Sequence, residues 1–217
     1  MKNRVSISNR LHIAEGAIHN AMNTDYILAA LTPFGYDLAC LQEAEGLLLA
    51  ARTAVNYQAL AYGRQYEASA DVRAARRAAN RVYMTSVKIA RLAFADDVQA
   101  RATLRLAGVR EKALGNWLVQ ASTFYQNLLA YPALQAKMAP FGYDAARLTE
   151  ELVLVRAVEA ANQQQEAAKG AARAATQDRD EKLRALQAWM SDFRVIAPIA
   201  LAENMQALES LRLRVVP

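Results

Sequence analysis

Apolar residues along this chain recur every three or four positions, and no stretch alternates with a period of two. Residues 8–23 place Leu11, Ala14, Ile18 and Met22 on one helical face. Thr24 and Asp25 predict a cap for a short helix from Tyr26 to Leu31. Pro33 ends it, because the residue before a proline is pushed out of the helical region. Gly35 supplies the positive φ of a helix exit, and Asp37 predicts the N-cap of the next helix. From Leu38 to about Ala68, Leu41, Leu48, Val55 and Tyr62 stand seven apart, a helical stripe. Ser69 with Asp71 signals a second N-cap. A further helix is expected from about 70 to 95 with Val72, Ala75, Ala79, Val82, Ile89 and Ala93 inward, then a short one to Leu106, ended by Gly108.

The plan then begins again. Pro33-Phe34-Gly35-Tyr36-Asp37 returns unchanged as Pro140-Phe141-Gly142-Tyr143-Asp144. Shifted by that interval, the chain matches itself without a gap from Pro33 to Leu106, with about a third of the positions identical. Gln58 falls on Gln165, Gly63 on Gly170, Asp71 on Asp178, and Leu104-Arg105-Leu106 on Leu211-Arg212-Leu213. Residues 109–130 read as a helix with Leu114, Leu118, Ala121, Tyr125 and Leu128 as its apolar face, and Pro132 suits a first helical turn. Residues 145–175 and 177–202 predict a second long hairpin, with Thr176 and Asp178 repeating the cap signal. Leu183, Leu186, Trp189, Phe193, Ile196 and Ala200 face inward, and Pro198 predicts a kink. The expectation is an all-α fold: one domain over 1–217, with repeats 1–107 and 108–214. Four long helices would form an antiparallel bundle from two pseudo-symmetric copies, flanked by shorter helices.

Composition agrees. Ala makes up about a fifth of the 217 residues, against 8 Gly and 5 Pro, which favours helix. No apolar run is long enough for a membrane span. The opening Met1-Lys2-Asn3-Arg4-Val5-Ser6 lacks a signal peptide's apolar core, and the single Cys40 fits a reducing, cytoplasmic setting. The net charge of +5 is modest.

Three groups are candidates for chemistry. His12, Glu15 and His19 share one face of the first helix, an imidazole–carboxylate set of the kind that ligates metal. The alternative is a polar flank beside the apolar stripe. The second group is a Tyr/Arg concentration at the expected hairpin tip, residues 57–91. Arg73, Arg77 and Arg81 are spaced by four, Arg76 lies between them, and Tyr62 and Tyr66 lie nearby. Arginine forks bind phosphate and carboxylate, so this stripe reads as a surface for nucleic acid, an acidic protein or another polyanion. Its plain alternative is a solvated helix face. The third is Gln58 and Gln165, placed to form a buried amide pair. Cys40 has no matched histidine, and there is no glycine-rich phosphate loop and no paired-cysteine site, so no cofactor is called for.

The second half carries Gly142-Tyr143-Asp144, Arg147-Leu148, Asp178-Arg179-Asp180, Leu186, Trp189, Phe193 and Ile196-Ala197. It resembles bacterial all-helical proteins built from two copies of one unit. That resemblance implies the fold class and a bacterial, intracellular setting, and carries no activity or site residues. The reading is a non-enzymatic interaction or scaffold protein, a homo-oligomer with a dimer favoured. The alternatives are a polyanion binder through residues 57–91 and a small-ligand or metal-binding bundle.

Overall fold

Ala-rich segments with few breakers leave the backbone little option but helix. The computed structural model describes residues 6–213; the opening segment Met1–Val5, read above as lacking a signal peptide's core, lies outside them. Among the described residues there are eight α-helices and no strand. In chain order they are α1 (Ile7–Asn23), α2 (Asp25–Leu31), α3 (Leu38–Ala93), α4 (Val98–Thr103), α5 (Leu114–Ala130), α6 (Pro132–Met138), α7 (Ala145–Ala200) and α8 (Met205–Ser210). Short 3-10 turns at Thr32–Phe34 and Ala139–Phe141 precede the long helices. No helix among the described residues is long and apolar enough to cross a membrane.

The stop-and-start signals act as read. Gly35 and Gly142 take φ of 86° and 78°. Asp37 accepts from the Cys40 amide at 2.9 Å and Asp144 from the Arg147 amide at 2.8 Å, so each carboxylate caps a long helix. Thr24 stands at the N-cap of α2, but its side chain makes no capping bond.

The expected four long helices are two. α3 and α7 each run 56 residues without a break, so neither hairpin forms and residues 57–91 have no tip. The hydroxyls taken for caps are used inside the helix instead. Ser69 Oγ donates to the Gln65 carbonyl at 2.8 Å, and Thr176 Oγ1 to the Ala172 carbonyl at 2.9 Å. α7 also continues through Pro198, which lies close to its end and forfeits one helical hydrogen bond there.

The chain divides into two units, and each takes part of both long helices. Unit 1 comprises residues 1–61 and 171–217. Its core joins Leu11, Ala14 and Ile18 of α1, Leu41 and Ala44 of α3, and Leu186, Met190 and Phe193 of α7. Tyr36 lies against Trp189 and Phe193 at 5.5 and 5.3 Å between ring centroids. Gln58 Nε2 donates to Thr176 Oγ1 at 3.2 Å; with Tyr36, just before α3, against Trp189 and Phe193 further along α7, the two long-helix segments run antiparallel within this unit. The heptad stripe fades along it: Leu41 and Leu48 are buried, Val55 is half-buried, and Tyr62 is exposed. A straight helix turns about 20° per heptad away from such a stripe.

Unit 2 comprises residues 62–170. Its core joins Tyr83, Val87 and Phe94 of α3, Trp117, Phe124 and Tyr125 of α5, and Leu148, Leu152 and Val155 of α7. Tyr83, Phe124 and Tyr125 meet edge-on or tilted, with centroids 5.0–6.1 Å apart. The inward face of α3 here is therefore Ala79, Tyr83, Ser86, Val87 and Ala90, whereas Val82 and Ile89 are only half-buried. Gln165 Nε2 donates to Ser69 Oγ at 2.9 Å. Gln58 and Gln165 thus do not make the amide pair expected of them; a hydroxyl of its own unit takes each one.

Gly63 and Gly170 lie inside the long helices with open space where a Cβ would stand. Replacing either with alanine stabilises the protein by about 0.5–1 kcal/mol, because the unfolded chain loses freedom and the helix loses nothing. Urea denaturation of Gly63→Ala and Gly170→Ala measures it; a loss of stability at either position means the helix is interrupted there.

Candidate anion-binding groove

In unit 2 the connector after α4 crosses back over α3, held by arginines. Arg91 donates to the carbonyls of Leu106 (3.0 Å) and Gly108 (3.1 Å). Arg110 donates to the Tyr83 hydroxyl (3.0 Å) and to the carbonyls of Arg105 (2.6 Å) and Ala107 (2.9 Å). Arg76 lies over the Trp117 ring at 5.6 Å and donates to the Lys112 carbonyl at 2.5 Å. Trp117 in turn donates to Asn80 at 3.0 Å. Burial raises the Tyr83 phenol above its ordinary range, and the Arg110 contact opposes that shift.

The strap encloses an open groove of about 660 Å³. Arg73, Arg76, Arg77, Asn80 and Met84 of α3 line one side, and Val109, Arg110, Glu111 and Lys112 of the strap line the other. Five cationic side chains thus face a single carboxylate. Arg73 and Arg77 are exposed and form no hydrogen bond or ion pair among the described residues.

Of the residues singled out as a polyanion surface, three meet in this groove: Arg73, Arg76 and Arg77. Arg81 is exposed on α3 but does not line it, and neither do Tyr62 and Tyr66. Tyr83 is not a surface residue; it is fully buried in the core. Sequence reasoning missed Arg110 and Lys112. The helix expected over 109–130 begins only at Leu114, which leaves both in a connector whose crossing over α3 makes them partners of the helix arginines.

Unit 1 has a groove lined from corresponding positions. Asp180, Leu183, Arg184 and Gln187 fall on Arg73, Arg76, Arg77 and Asn80 at the interval that carries Pro33 onto Pro140. That groove sets three arginines, Arg10, Arg179 and Arg184, against Asp180, fewer cations than the five of unit 2. Arg179 pairs with Asp180 at 2.5 Å and donates to Gln58 at 2.8 Å.

Of the histidine set in unit 1, His12 and Glu15 are tied to cations and His19 to an amide. Arg212 lies 2.6 Å from His12 Nε2, Glu15 pairs with Arg52 at 2.6 Å, and His19 Nδ1 faces the Asn23 amide at 3.2 Å. No group of three or more metal-ligating side chains gathers among the described residues. The Arg52 hydrogen bond holds the Glu15 carboxyl below its ordinary 4.5.

A buried polar cluster in unit 2 was not foreseen. Glu151 accepts hydrogen bonds from Ser86, from the Tyr125 hydroxyl at 2.9 Å, and from Arg147 Nε at 3.2 Å. Ser86, Tyr125 and Glu151 are all buried, and none lines either groove. Burial drives the Tyr125 phenol far above its ordinary range, and the neighbouring carboxylate adds to the shift. The corresponding residues of unit 1 are Phe193 for Ser86, Ala44 for Glu151 and Ile18 for Tyr125, all apolar. The cluster therefore reads as a polar core contact rather than as a reactive site.

Compared with known protein families, curated proteins and solved structures, the chain gives no significant match.

This geometry has two measurable outcomes. Glu151→Leu takes the carboxylate acceptor from the buried Tyr125 hydroxyl, leaves Ser86 the Val82 carbonyl, and costs about 1–3 kcal/mol, while Glu151→Gln, which keeps an acceptor, costs less. Chemical denaturation of the two variants separates them, and equal losses contradict the hydrogen-bonded account. The depressed Glu15 pKa contributes stability above its ordinary value, and that contribution is lost as pH falls through the folded value. Arg52→Gln therefore lowers the melting temperature near neutral pH by an amount worth under about 1 kcal/mol, the pair being exposed. The difference closes as pH falls below the ordinary 4.5 and through the lowered folded value; a gap independent of pH rejects it.

Proposed function

We propose that this chain is a non-enzymatic helical scaffold that acts by binding other molecules, and that it is built from two tandem copies of one plan of about 107 residues. The recurrence of its elements carries this reading. α5, α6, the second 3-10 turn, α7 and α8 each begin one such interval after α1, α2, the first 3-10 turn, α3 and α4. Arg105 and Arg212, separated by the same interval, both adopt a left-handed backbone, with φ of 50° and 53°. Each unit then combines the opening helices of one copy with the closing helices of the other. What differs between the units is side-chain chemistry, in the groove and in the polar core contact. That difference is what a two-part binding scaffold needs in order to present unlike surfaces.

Self-association belongs to the same reading. Leu38, Leu49 and Leu60 are evenly spaced on one face of α3 in unit 1, and all three are exposed. Each step between them is about three helical turns, which brings the chain back to nearly the same face. The three form an apolar line suited to a second copy of this chain. Light scattering after size exclusion is expected to give a dimer mass for the wild type and a monomer mass for Leu49→Lys with Leu60→Lys. A wild-type monomer at every concentration removes the dimer.

A second reading is favoured by the unit 2 groove: recognition of an anionic ligand or an acidic partner. It rests on five cations gathered against Glu111, where the corresponding groove of unit 1 sets three arginines against Asp180 and pairs one of them with it.

A further inference from the structure

We propose that the unit 2 groove is a site for a compact ligand bearing two or more linked phosphate groups. The proposal rests on the second reading above and specifies its chemistry. The architecture alone does not call for the cation cluster, because at corresponding positions unit 1 has Asp180 for Arg73 and Leu183 for Arg76. Arg73, Arg76 and Arg77 stand within about one helical turn, close enough to repel one another without a counter-charge. Glu111 is the only carboxylate lining the groove.

The groove also has the parts of a prepared site. Arg76 is fixed by the Trp117 ring and the Lys112 carbonyl, and Arg110 by Tyr83 and two strap carbonyls. These guanidiniums lose little freedom when a ligand arrives. Arg73 and Arg77 remain to close on it as forks. A volume of about 660 Å³ is that of a small-molecule site. Base stacking is not provided: the Trp117 ring is buried, its face is covered by Arg76, and Tyr62 and Tyr66 do not line the groove. A phosphate group carries up to two charges, so a short linked phosphate neutralises the cluster within the space available better than a run of single carboxylates does.

Titration calorimetry on the full chain, with tripolyphosphate as probe at low ionic strength, tests this. One molecule is expected to bind per chain and to weaken as salt is added. Arg73→Gln and Arg77→Gln each reduce the affinity at least roughly tenfold, with the far-ultraviolet dichroism unchanged. Arg184→Gln, in the other groove, leaves it as in the wild type. Absent binding, or binding indifferent to Arg73→Gln and Arg77→Gln, overturns the site. An oligoglutamate or an oligothymidylate that binds this groove more tightly than tripolyphosphate overturns the ligand class. Neither result bears on self-association, which the light-scattering measurement tests separately.

Discussion

Both units depend on helices that run through the positions where the chain had an option to turn. At Ser69 and Thr176 a hydroxyl faces two uses: capping a new helix, or bonding the carbonyl one turn back. The second wins, because the same oxygen also accepts an amide proton from Gln165 or Gln58 on the opposing long-helix segment of its unit. A cap satisfies one orphan amide. The interior position satisfies a carbonyl, a hydroxyl and a half-buried amide together, and breaks no helical hydrogen bond. With the helices continuous, unit 1 draws its closing segment from the far end of the sequence, and unit 2 is the unbroken middle stretch.

That constraint governs where chemistry sits. In unit 2 the face of α3 that turns inward carries Tyr83 and Ser86, and the outward face carries Arg73 and Arg77. The connector after α4 is tied down by Arg91, Arg110 and Arg76, three cations engaged with backbone carbonyls. The same ties set Lys112 and Arg110 opposite the free arginines. The arginines are thus divided: Arg76, Arg91 and Arg110 hold the strap through its carbonyls, and Arg73 and Arg77 leave their charge exposed in the groove.

Between the units, the contrast lies in side chains at matching positions. Where unit 2 buries Glu151 with Ser86 and Tyr125, unit 1 has Ala44, Phe193 and Ile18. Both solutions fill the space, one with apolar contacts and one with a hydrogen-bonded carboxylate whose acceptors are used. The grooves diverge likewise, through Asp180 in one and Arg73 in the other.

Much of this was legible without coordinates. Helical periodicity, the Gly35 and Gly142 exits and the Asp37 and Asp144 caps depend on local backbone chemistry, which neighbouring residues decide. The recurrence of the Pro-Phe-Gly-Tyr-Asp turn needed only the chain itself. What the tertiary structure decided was whether a local signal is used. A serine followed by an aspartate reads as a helix start until a glutamine from a distant segment claims the hydroxyl. Arg110 and Lys112 read as the first turn of a helix over 109–130 until the strap folds over α3 and the helix starts only at Leu114. Glu151 carries no sign of burial along the chain until Ser86 and Tyr125 come to meet it. Each of these outcomes depends on a partner dozens of residues away, and pattern along the chain carries no information about which partner arrives.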